Sequence, residues 1–89
     1  KWSLRWFALR QGCLLYYKAE KDKQPRGVIS LQNTRVQFSV LKQFAIEIVC
    51  EASSSYYLCA STALEQTEWI DAIRDAIPIS FPPQENQVG

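Results

Sequence analysis

The side chains of this 89-residue chain best suited to hold a ligand are its cations, and they are unevenly placed. Residues 1–26 carry Lys1, Arg5, Arg10, Lys18, Lys21, Lys23 and Arg26 against Glu20 and Asp22, a net charge of +5. Residues 27–89 carry Arg35, Lys42 and Arg74 against seven carboxylates, a net charge of −4. The overall charge of +1 therefore hides a dipole able to orient the molecule against an anionic surface. The same composition also fits a solvated basic hairpin with no partner.

Other chemistries find little support. There is no histidine to act as general base. No Gly-rich phosphate loop and no recognisable Ser or Cys nucleophile motif occurs. The carboxylates gather mainly on the polar face of one predicted helix, where solvation is the ordinary explanation. Cys13, Cys50 and Cys59 lack the short paired spacings of a zinc site and do not close a disulfide set, so three reduced thiols are expected. The basic residues do not recur along one helix, which argues against nucleic acid as a partner. The expectation is a non-enzyme with no catalytic residue, metal or cofactor.

Eighty-nine residues fit one small domain. No run of 18 apolar residues is present, so no segment is expected to span a membrane. The opening Lys1-Trp2-Ser3 has neither an initiator Met nor a signal-like apolar stretch, and it reads as a cut from a longer protein.

The elements that must position the cations are strands first and a helix last. Residues 2–19 read as a hairpin turning at Gln11-Gly12. Residues 20–27 form a charged loop containing Pro25 and Gly27. Val28–Leu31 is a short strand, and Gln32-Asn33 a turn. Arg35–Val40 alternates, with Val36, Phe38 and Val40 on one face. Phe44, Ile46, Ile48 and Cys50 alternate with Ala45, Glu47 and Val49. Residues 51–55 are a turn, after which Tyr56, Leu58 and Ala60 share a face. Half-buried antiparallel strands produce this pattern.

The period then changes. Thr62 and Glu65 have capping-box spacing. Trp69, Ala72, Ile73, Ala76 and Ile77 form an apolar stripe with Ile70 on its flank. Pro78 ends the helix, and residues 78–89 read as a flexible tail or linker. Strands closed by one amphipathic helix predict an antiparallel, helix-capped β domain over residues 1–77. The helix is expected to plug one open end, leaving loops at the other for a ligand. Trp2, Trp6 and Trp69 are expected in the core or at its edge.

These segments resemble the pleckstrin-homology (PH) family. Lys1-Trp2-Ser3-Leu4-Arg5-Trp6-Phe7-Ala8-Leu9 is similar to the family's second strand, and Leu14-Leu15-Tyr16-Tyr17-Lys18 to its third. Pro25-Arg26-Gly27-Val28-Ile29-Ser30-Leu31 is similar to the loop and fourth strand. Tyr57–Ser61 followed by Glu68-Trp69-Ile70-Asp71-Ala72-Ile73 is similar to the last strand and C-terminal helix. The resemblance implies a bent antiparallel β-sandwich or partial barrel capped by the helix. Six strands are expected from this chain, the family's first strand lying before Lys1.

The resemblance also implies a lipid-headgroup site. Phosphoinositide-binding members place a basic residue and an arginine two positions apart on strand two, hence on one face. Arg5 falls on the arginine position, and its planar fork suits phosphate. Ser3 stands where the other cation is usual. That replacement removes a charge-assisted contact worth roughly 1.5–3 kcal/mol, about tenfold or more in affinity. Tyr16 and Arg26 match further phosphate-contacting positions, and Lys18, Lys21 and Lys23 add a diffuse positive field. The implied function is a peripheral, cytoplasmic membrane-targeting module, monomeric as an isolated domain. It would bind phosphoinositides or anionic membrane surfaces weakly or with loose selectivity, inside a larger signalling or trafficking protein. The alternative is a protein–protein interaction module with little lipid binding, docking through an edge strand or the helix.

Overall fold

The computed structural model describes residues 2–51 and 54–78. Lys1, part of the predicted 51–55 turn and the tail from residue 79 lie outside the described residues. The order is β1 (Trp6–Arg10), β2 (Cys13–Tyr17), β3 (Gly27–Ser30), β4 (Thr34–Ser39), β5 (Ala45–Cys50), β6 (Tyr56–Cys59) and α1 (Ala63–Ala76). Two three-stranded antiparallel sheets, β1-β2-β3 and β4-β5-β6, face each other across the core.

Each connection has a local cause. Gln11 and Gly12 both take positive φ (51° and 75°), the paired left-handed geometry that joins two strands of a tight hairpin. The register this fixes pairs Arg10 with Cys13 and Trp6 with Tyr17. Asn33 turns the chain between the sheets at φ 56°, and the Thr34 hydroxyl donates to the Leu31 carbonyl at 2.8 Å. Leu31 lies outside any strand but is fully buried, and its N–H donates to the Gly12 carbonyl at 3.0 Å.

The core joins all three layers. Leu14, Ile29 and Leu31 come from the first sheet and its exit, Val36, Ile46, Ile48 and Leu58 from the second, and Ile70 and Ile73 from the helix. The β alternation predicted Val36, Phe38 and Val40 on one inward face. Only Val36 is buried; Phe38 and Val40 are exposed. Phe38 pairs with buried Ile46, but β4 is an outer strand with a neighbour on one side, and Val40 falls past its end. Strand β1 likewise begins at Trp6 rather than Trp2, and both Trp2 and Trp6 are exposed instead of serving the core. Phe44, predicted as the first strand position, adopts φ 61° and belongs to the preceding loop.

The helix starts where the capping spacing placed it. The Thr62 hydroxyl accepts from the Glu65 N–H at 3.0 Å. The Glu65 carboxylate reaches one residue further back than a reciprocal box and accepts from the Ser61 N–H at 2.7 Å. Thr62→Ala should cost about 1 kcal/mol, lowering Tm by roughly 4–8 °C in a domain of this size, as read by thermal unfolding.

The apolar stripe is rotated from its expected position. Ile70 and Ile73 are its buried centre, Trp69, Ala76 and Ile77 are half-buried margins, and Ala72 is exposed. The rotation follows from packing against the second sheet as well as β1, with Gln66 donating to the Ala45 carbonyl at 2.8 Å. Trp69 meets the Phe7 ring edge-on at 6.4 Å, tying the helix to β1. The helix ends as Ile77 donates back to Ile73 and Arg74, and Pro78 then packs on Gly12 of the hairpin turn.

Candidate functional site

Strand register gathers the basic residues. Trp6 pairs with Tyr17 and Tyr16 with Gly27. Arg5 immediately precedes β1, Lys18 immediately follows β2 and Arg26 immediately precedes β3, so all three sit at the same end of the first sheet. The Arg26 N–H donates to the Tyr16 carbonyl at 2.7 Å, fixing the loop's return. The loop's outward leg is closed by Ala19 and Asp22: the Ala19 N–H donates to the Asp22 carboxylate and the Asp22 N–H to the Ala19 carbonyl, both at 3.1 Å. That turn leaves Lys18, Lys21 and Lys23 exposed.

These cations are not neutralised within the fold. Among the described residues the ion pair that forms is Arg74–Asp71, on the helix. Arg5 is half-buried and spends one guanidinium nitrogen on the Leu4 carbonyl at 2.9 Å.

Arg5 also lines a cleft of about 190 Å³ between β1 and β6, together with Trp2, Ser3, Phe7, Tyr16 and Tyr57. Ser3 and Arg5 thus line one cleft. An adjoining cleft of about 270 Å³ adds Leu4, Lys42 and Cys59. Among the described residues, Arg5 is the one charged lining residue of the first cleft, and Arg5 and Lys42 are those of the second. The cleft between β1 and the helix has the opposite sign, with Glu65 and Glu68 and, among the described residues, no cation on its wall. The positive and negative surfaces implied by the sequence are therefore separated at cleft scale.

Tyr16 is partly a core residue. Its ring packs 6.1 Å from Phe7 and against the buried cluster, while its edge reaches the cleft. The hydroxyl and ring lie where a Cβ on residue 27 would project, so Gly27 holds the tyrosine in place by having no side chain. Gly27→Ala should force the ring outward at a cost of about 1–3 kcal/mol. A drop in Tm and a shifted Tyr16 aromatic NMR signal would report it.

Lys18, Lys23 and Arg26 do not line either cleft; they flank it from the β2–β3 loop. The sequence missed Lys42, whose ammonium lies 5.1 Å over the Trp2 ring. Its position between Leu41 and the start of β5 marks it as a loop charge. Its approach to Trp2 depends on how two sheets meet, which leaves no sequence signal.

One carboxylate is bonded to the cleft wall. Gln37, Glu47 and Tyr57 form a cross-strand row, with the Gln37 amide donating to Glu47 at 2.9 Å and the Tyr57 hydroxyl at 3.2 Å. Hydrogen bonding from Ser55, then from Gln37, holds the Glu47 carboxyl below its ordinary range. The Glu47 charge in turn pushes the Tyr57 phenol upward.

Two antiparallel three-stranded sheets closed by a C-terminal helix define a PH-like fold. The PH domain family model matches residues 1–78, and the chain belongs to that family. The C-terminal PH domain of pleckstrin superposes with a TM-score of 0.78 at 35% identity, over 85% of this chain and 80% of that one. A structure of that domain in complex with D-myo-Ins(1,2,3,4,5)P5 gives a TM-score of 0.76 at 34% identity, over 88% and 83%. Among full-length relatives, a PH and Rap-GAP domain-containing protein of Dictyostelium discoideum is 34% identical over 86% of this chain. Cytohesin-4 of Mus musculus is 33% identical over 85%. The chain spans only 7% and 25% of the lengths of these two proteins. No helix among the described residues is long and apolar enough to cross a membrane.

Proposed function

We propose that this PH domain is a non-catalytic docking module that binds phosphoinositide headgroups or anionic membrane surfaces with loose selectivity. Its setting would be the cytoplasmic membrane face, as a peripheral part of a larger signalling or trafficking protein. The observation that carries the reading is the convergence of Arg5, Lys18 and Arg26 at one sheet end, beside clefts whose charged lining is cationic. The inositol-pentakisphosphate complex of the pleckstrin domain, at 34% identity, supports it. Arg5 would grip phosphate with its free nitrogens, Tyr16 would supply a hydroxyl at the cleft wall, and Lys18, Lys23 and Arg26 would surround the headgroup. Ser3 beside Arg5 contributes no charge, which favours modest affinity.

A second reading has an observation of its own. Strands β1 and β6 each pair on one side only among the described residues, so a peptide could add to either edge. Co-sedimentation with phosphatidylcholine vesicles, with and without phosphoinositide, separates the two. Phosphoinositide-dependent binding that weakens with salt is expected. No binding at low ionic strength would defeat the lipid reading and leave the peptide one.

A further inference from the structure

The β4–β5 loop, residues 40–44, presents a feature that headgroup docking does not require. Val40 is 102% exposed and Leu41 62%, two consecutive aliphatic side chains open to solvent, the first without cover. The loop is nonetheless shaped. The Leu41 N–H donates to the Ser39 hydroxyl at 3.1 Å, the Ala45 N–H donates to the Lys42 carbonyl at 3.1 Å, and Phe44 closes it at φ 61°. Adjacent exposed apolar residues on a built turn are suited to contact with an apolar phase.

The neighbouring charges say which phase. Lys42 follows Leu41 directly and stacks on Trp2, and it shares its cleft with Arg5 and with Leu4, itself 76% exposed. Among the described residues that lining holds two cations and no carboxylate. A protein groove would need one complementary patch, whereas the hydrocarbon boundary of an anionic bilayer places apolar matter directly beneath phosphate. Aliphatic tips flanked by cations fit that layering.

We propose that Val40 and Leu41 insert into the headgroup–acyl boundary of an anionic membrane, with Lys42 and Arg5 at phosphate level behind them. This deepens the proposed docking function and rests on it. The footprint would then extend from the β2–β3 loop across Arg5 to the second sheet, fixing the domain's tilt by two contacts.

The test uses the 89-residue chain with vesicles of phosphatidylcholine, phosphatidylserine and phosphatidylinositol bisphosphate, and in parallel with a soluble inositol phosphate. Val40→Ser with Leu41→Ser leaves the charge unchanged and touches no buried group. It should weaken vesicle binding about tenfold, given the area such side chains bury, while soluble inositol phosphate binding and Tm stay as in the parent. Val40→Phe should strengthen vesicle binding. If the double serine variant binds vesicles as tightly as the parent while Arg5→Ala weakens binding, loop insertion is overturned and headgroup docking stands. Absence of vesicle binding by the parent chain overturns both.

Discussion

Arg5→Ala is expected to weaken binding to phosphoinositide-containing vesicles by about tenfold to a hundredfold, the largest loss of any single cation in the chain. The size follows from its surroundings. Arg5 lines both cationic clefts and is half-buried, whereas Lys18, Lys23 and Arg26 are exposed and flank them. A charge-assisted hydrogen bond is worth roughly 1.5–3 kcal/mol, and a solvated cation near an anionic leaflet about 1 kcal/mol before screening. Arg5→Lys should fall between, keeping charge but losing the planar fork. Ser3→Lys should move the other way, since Ser3 lines the same cleft and a second cation there reaches the same anion. Vesicle co-sedimentation at two salt concentrations checks all three. Equal losses from Arg5→Ala and Lys23→Ala would mean a diffuse field governs binding and the cleft does not.

The split between what residues 1–26 revealed and what they concealed has a physical basis. Antiparallel register is local: once Gln11-Gly12 closes the hairpin, Arg5 must lie near Lys18, and the return at Gly27 must bring Arg26 alongside. Those placements were legible. So were the Thr62 cap and the Pro78 stop, because each depends on a few adjacent residues. What escaped depends on one sheet meeting another. The exposure of Trp2 and Trp6, the stacking of Lys42 on Trp2 and the exposure of Phe38 are all decided by sheet packing. The alternation of Val36, Phe38 and Val40 states which side of the strand they occupy, not how far the opposing layer extends. Tyr16 shows both kinds of information at once, since its register was readable but its dependence on Gly27 was not.

The helix gives the most direct stability test of that distinction. Spacing alone centres the stripe between Ala72 and Ile73 with Ile70 on its flank, whereas the structure buries Ile70 and Ile73 and exposes Ala72. Ile73 is fully buried and joins a cluster that includes Leu14 and Leu31 of the first sheet and its exit and Val36 and Ile48 of the second sheet. Truncating it removes contacts from the element that closes both sheets, and the helix backbone cannot collapse to fill the space. Ile73→Ala and Ile70→Ala should each cost about 2–5 kcal/mol, against a total of about 5–15 kcal/mol for a small domain. Each kilocalorie moves Tm by roughly 4–8 °C at this size, so a fall of about 8–40 °C is expected by calorimetry or circular dichroism. Ala72→Ser should cost only the helix-propensity difference, a few tenths of a kcal/mol. Comparable losses from Ala72→Ser and Ile70→Ala would mean the helix sits on the sheets by the face its spacing suggests. The inward turn of Ile70, and with it the path by which Trp69 locks against Phe7 in the acidic cleft between β1 and the helix, would then be wrong.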